Sequence, residues 1–117
     1  MHDERIRHFN ALAAADIFAH YNPKYQATAQ RLTRCDLHGL HVDEARQYAH
    51  NHLEACRAVG VEKTMLIVGK GGHSQQGAAR IKPAILDMLV GRQGLVAGIH
   101  EKNDGCIVVD FTPANVH

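Results

Sequence analysis

The sequence contains no tryptophan and only three phenylalanines and three tyrosines among its 117 residues. So few rings argue against a surface that reads single-stranded bases by stacking. An excess of charge of either sign is lacking too: 13 Lys and Arg stand against 12 Asp and Glu, a net charge of +1. That balance excludes the strongly basic class of nucleic-acid protein, though not a local basic patch. No apolar run approaches the roughly 18 residues of a membrane span, and no charged-then-apolar leader opens the chain, so a cytoplasmic protein without membrane contact is expected. Cys35, Cys56 and Cys106 are an odd number without paired spacing, as expected for small buried thiols in a reducing compartment. Histidine is what the chain has in excess, with ten residues. At 45% hydrophobic and 21% charged residues, it suits one globular domain that buries roughly two-thirds of its unfolded surface.

Ile6, Phe9, Leu12, Ala13, Ile17 and His20 fall at helical spacing, and Asn22-Pro23 stops that helix. Residues 1–32 hold few core positions and read as a helical arm; residues 33–117 read as the domain proper. There, short strands alternate with helices. Arg34 to Leu37 is a strand. Val42 to Val59 is a helix with the apolar stripe Ala45, Ala49, Leu53, Cys56 and Val59, acids in its first turn and Gly60 at its end. Thr64 to Val68 is a continuous apolar run, expected to be a strand buried on both faces. Gly69 to Gly77 is a glycine-rich loop, and Pro83 is expected in the first turn of a helix with core face Ile81, Ile85, Met88 and Leu89. Leu95 to His100 and Cys106 to Phe111 form a hairpin, with Asp104-Gly105 as its turn signal. The order β-α-β-α-β-β predicts an α/β two-layer sandwich with a small mixed sheet of about four strands. The crossovers are expected to join parallel neighbours.

Two segments can carry chemistry. Asp36-Leu37-His38-Gly39 ends the first strand and Gly69-Lys70-Gly71-Gly72-His73-Ser74 follows the second, so parallel pairing would open both on one sheet edge, where such folds bind ligands. Alternation places Asp36 and His38 on one face, where a carboxylate can orient an imidazole for acid-base work. In the blander alternative, Asp36 caps a loop and His38 bonds backbone. The glycine loop lacks Walker A spacing but can cradle an anion through its amides and Lys70. Lys63, Lys70, Arg80 and Lys82 form a run with no acid and no Phe or Tyr from Lys63 to Leu86, which favours contact with phosphates over bases. No histidine or cysteine spacing completes a zinc site; a divalent cation held by Asp36 and substrate phosphates is the remaining metal option.

Asp36-Leu37-His38-Gly39-Leu40 with Val42-Asp43-Glu44-Ala45, then Val68-Gly69-Lys70-Gly71 with His73-Ser74, Ile81-Lys82-Pro83-Ala84, and last Asn103-Asp104-Gly105, together resemble the Smr (small MutS-related) domain over residues 33 to 111. Ala15 to Phe18 with Tyr21-Asn22 resembles the end of the helical extension that precedes Smr in many eukaryotic members, as in a C-terminal piece of a longer protein. The resemblance implies nucleic-acid binding and, for some members, endonuclease activity: DNA nicking, or cleavage of messenger RNA on stalled ribosomes in mRNA quality control. Carried over by position, Asp36 and His38 match the motif acid and histidine, and Gly69, Lys70 and Gly71 match the glycine loop. Arg80 matches the basic position before the second domain helix. Catalytic roles are thus expected for Asp36, His38 and Arg80, and phosphate contacts for Gly69, Lys70, Gly71, Gly72, His73, Ser74 and Lys82. The expected protein is a monomeric RNA endonuclease needing no cofactor. Alternatives are a nuclease using Mg²⁺ or Mn²⁺ that also nicks DNA, and a non-catalytic module for RNA or the ribosome.

Overall fold

A computed structural model describes residues 13–69 and 76–112. Residues 13–21 are helical (α1), followed by a 3-10 turn at Arg31–Thr33, β1 (Arg34–Asp36), α2 (Val42–Val59), β2 (Lys63–Ile67), α3 (Gln76–Val90), β3 (Leu95–His100) and β4 (Asn103–Phe111). The four strands form one mixed sheet in the order β1-β2-β4-β3. Strands β1 and β2 are parallel, while β4 is antiparallel to both β2 and β3. The two-layer α/β sandwich expected from the sequence is therefore the fold. One neighbour relation differs: β2 and β3 run parallel but are not adjacent, because β4 inserts between them.

Cys35, Leu66, Ile107 and Val109 face a core shared with Ala49 and Leu53 of α2 and Ile81, Ile85 and Leu89 of α3. Helix α2 begins where the His41 N–H donates to the Glu44 carboxylate (3.1 Å) and ends where the Gly60 N–H donates to the Cys56 carbonyl (2.8 Å). Its buried stripe is Ala45, Ala49, His52, Leu53 and Cys56. Val59 is 41% exposed instead of buried, since the stripe drifts off the core in the last turn. Strand β2 alternates buried and half-buried residues instead of burying both faces, because both helices lie on one side of the sheet.

Three local expectations are corrected. Pro83 lies in the interior of α3, not its first turn, because the helix starts at Gln76. The glycine-rich loop correspondingly ends before Gln76. In the hairpin, His100 pairs with Asn103 around a turn at Glu101-Lys102, and Asp104-Gly105 falls inside β4 beside a register shift. The Asn103 side chain accepts the Gly105 N–H (3.0 Å), so this Asx-type turn shapes the bulge and leaves the chain reversal to the preceding residues.

The arm is part of the core. Ala14 and Phe18 are buried, and Phe18 stacks on Tyr48 of α2 at 4.4 Å and meets Tyr25 edge-on at 5.1 Å.

Candidate active site

The register aligns Asp36 with Ile67, and the Leu37 N–H donates to the Ile67 carbonyl (2.8 Å). The segments after β1 and β2 thus leave the sheet at one edge, as parallel pairing requires. Cys35 is turned into the core, so alternation puts the Asp36 side chain on the face away from the helices. Gly39 follows at φ +90°, where an added Cβ would lie 3.2 Å from Ile17 and 3.3 Å from Tyr21. Only glycine permits both that conformation and that approach of α1 to the site.

Asp36 is 7% exposed. One carboxylate oxygen accepts the His38 backbone N–H at 3.1 Å and lies 2.5 Å from His38 Nδ1. The other faces the Arg34 guanidinium at 3.7 Å. A carboxylate can only accept, so Nδ1 carries the proton and Nε2 of the neutral ring carries the lone pair. The imidazole is partly exposed.

Further groups, absent from the sequence expectations, hold this pair. Asn22, itself buried, accepts the Asp36 N–H (2.7 Å) and donates to the Asp36 carbonyl (2.8 Å). Tyr21 packs on the His38 ring with centroids 4.0 Å apart. Helical spacing carried a signal for both: Asn22 continues the buried line Ala14–Phe18, and Tyr21 lies one turn after Ile17.

Of the other expected residues, Gly69 stands at the site edge with φ 83°, its N–H donating to the Gly105 carbonyl (3.1 Å). Arg80 and Lys82 lie on α3, exposed and half-buried respectively. Lys70, Gly71, Gly72, His73 and Ser74 lie outside the described residues. The acid-free run from Lys63 to Leu86 does not act as one patch. Lys63 sits at the far end of β2 and pairs with Asp110 at 3.6 Å, about 13 Å along the strand from Ile67. All three cysteines are free and buried. Burial first and the Asp36 charge second raise Cys106 and Cys35 above the ordinary thiol range, so neither is a ready nucleophile. Among the described residues no cluster of three His, Cys, Asp or Glu side chains could hold a metal ion, and no helix is long and apolar enough to cross a membrane.

A mixed four-stranded sheet backed by two helices, with an Asp–His pair at the end of its first strand, is the arrangement of a Smr domain. The Smr domain family matches residues 35–112, and the chain belongs to it. Human NEDD4-binding protein 2 is 38% identical over 95 residues, covering 77% of this chain and 5% of that protein. The Saccharomyces cerevisiae protein named Endonuclease NBR9 is 30% identical over 103 residues, covering 88% of this chain and 40% of that protein. The chain therefore spans less than half the length of either relative. The solution structure of the B3BP Smr domain matches with a TM-score of 0.63 at 34% identity, covering 88% of this chain and 96% of that one.

Proposed function

We propose that this chain is an endonuclease that cleaves RNA by metal-free acid-base chemistry. The observation that carries the reading is the Asp36–His38 pair, which presents a ring of defined tautomer at an accessible sheet edge. In the reaction, His38 Nε2 takes the proton of a ribose 2′-hydroxyl as its oxygen bonds to phosphorus. The same ring returns that proton to the 5′-oxygen as the P–O5′ bond breaks, leaving a 2′,3′-cyclic phosphate and a 5′-hydroxyl. Asp36 stabilises the imidazolium in between, and Lys70, Arg80 and the loop amides after β2 offset the charge on the phosphorane. The name of the yeast relative supports the class of activity. Within this reading the chain acts as a monomer in the cytoplasm, on messenger RNA of stalled ribosomes.

The test is cleavage of a labelled single-stranded RNA with and without EDTA, wild type beside His38→Ala, with analysis of the 3′ ends. The expected outcome is EDTA-resistant cleavage leaving cyclic phosphate, reduced roughly 10²- to 10⁴-fold in His38→Ala with RNA binding retained. Cleavage abolished by EDTA, and extending to DNA, would replace the mechanism with hydrolysis at a divalent cation on Asp36. Binding without cleavage under any metal would leave a docking module.

A further inference from the structure

The segment that joins the arm to the domain encloses a cleft of about 130 Å³, lined among others by Asn22, Lys24, Gln30, Arg31, Thr33 and Arg34. Three of its lining side chains are cations and none is an acid, in a chain whose net charge is only +1. Among the described residues Lys24 and Arg31 have no acidic partner, and Arg34 reaches Asp36 only at 3.7 Å. The volume equals about four water molecules' share of liquid, enough for a small anionic group with some of its hydration. The Gln30 side-chain amide is a further donor suited to an oxyanion, while the Thr33 hydroxyl is already engaged with the Gln30 carbonyl (3.3 Å).

Its position gives the cleft a meaning. Asn22 on its wall also holds the Asp36 backbone, and Arg34 lines the cleft while lying two residues before Asp36 on the same face of β1. A chain of phosphates that places one group at His38 therefore runs past Arg34 into the cleft.

From this we infer that Lys24, Arg31 and Arg34 form a second phosphate site, which takes a backbone phosphate of the nucleic-acid strand next to the one presented to His38. The ligand class rests on the nuclease reading above; the site does not depend on cleavage occurring.

The experiment measures equilibrium binding of a fluorescein-labelled mixed-sequence single-stranded RNA across a salt series. All proteins carry His38→Ala so that the probe survives. Lys24→Gln with Arg31→Gln is compared with the parent and with Arg92→Gln, a cation of the helix layer on the other side of the sheet, where it pairs with Glu54. Each lost contact to a single strand should flatten the log-log salt dependence by about 0.7, so the double variant should lose about 1.4 of slope together with affinity at low salt. Arg92→Gln should change neither. Lys24 stands at φ 63°, a left-handed conformation that glycine adopts without strain. Lys24→Gly should therefore weaken binding while its thermal midpoint holds or rises, which separates lost contact from misfolding. Unchanged affinity and slope in the double variant would overturn the site, as would absence of RNA binding by the parent. Competition by polyglutamate as effective as by unlabelled RNA would make the cleft a site for acidic protein instead. Cleavage by the chain with His38 intact is assayed separately. Its loss beside a normal salt response would sink the nuclease reading alone.

Discussion

Asn22 supplies β1 with two hydrogen bonds that a neighbouring strand would otherwise give. Strand β1 is three residues long and forms the sheet edge, so its outer backbone groups need partners once the arm covers them. The Asn22 amide meets the Asp36 N–H and carbonyl together, and its NH₂ also donates to the Phe18 carbonyl (2.9 Å). Asn22→Ala leaves buried groups unpaired at about 1–3 kcal/mol each. Its expected signature is faster hydrogen exchange at the Asp36 amide together with slower RNA cleavage. Asn22→Asp keeps the acceptor for the Asp36 N–H but sets oxygen against the Asp36 and Phe18 carbonyls, so it should be no better than Ala. Wild-type exchange at Asp36 in Asn22→Ala would show that the arm is not what holds the motif acid. The Asp36–His38 pair was legible in the sequence because alternation over two residues is local. For Asn22 spacing signalled only a buried position in line with Ala14 and Phe18; its partner was not legible, because a side-chain amide bonding to backbone 14 residues away is a tertiary relation to which no periodic pattern corresponds.

At the scale of elements, α2, β2 and the connecting segment meet around a buried polar chain. The Thr64 hydroxyl donates to the Leu32 carbonyl (2.7 Å), so its oxygen accepts from His52 Nε2–H (2.8 Å). His52 Nδ1 then accepts the Tyr25 hydroxyl proton (2.6 Å). One tautomer satisfies all four groups, and among the described residues no buried side-chain nitrogen or oxygen lacks a partner. Burial holds the His52 pKa down at about 4, below the unfolded value near 6.5. The neutral ring therefore favours the fold. Its contribution is complete above about pH 6.5 and is lost as pH falls towards 4, where the unfolded chain binds the extra proton. The expected loss is about 3 kcal/mol across that window, read by urea denaturation at stepped pH, and His52→Gln should flatten the dependence. A profile equally steep in His52→Gln would assign the acid sensitivity elsewhere. Spacing exposed the helix to sequence reading, including both its ends, yet His52 sits at the stripe position between Ala49 and Cys56. Its polarity hid it, because nothing local announces the tyrosine and threonine that satisfy a buried imidazole.

For the molecule as a whole, the sequence division at residue 32 does not correspond to a division of the core. Phe18 and Ala14 of α1 belong to the same cluster as Leu53, Leu66 and Ile107, and Leu32 packs with Cys56 and Val61 in a second one. The arm looked sparse in core positions because its few large apolar residues gain their burial from α2 and the site edge, not from one another. Tyr48 and Tyr25 enclose Phe18 on two sides, so Phe18→Ala removes a ring that has no room to be replaced by water without opening the arm. It should cost about 3–5 kcal/mol, a large part of the stability of a domain this size. If arm and domain are one cooperative unit, Phe18→Ala lowers a single unfolding transition, and near-UV ellipticity from the tyrosines is lost together with far-UV signal. An arm that merely rests on the domain would instead melt first, leaving a second transition at the wild-type midpoint. Because Asn22 and Tyr21 reach Asp36 and His38 from that same arm, the cooperative outcome carries a functional consequence: Phe18→Ala should reduce RNA cleavage in step with the fraction unfolded. In the other outcome, cleavage would fall at temperatures where the sheet is still intact.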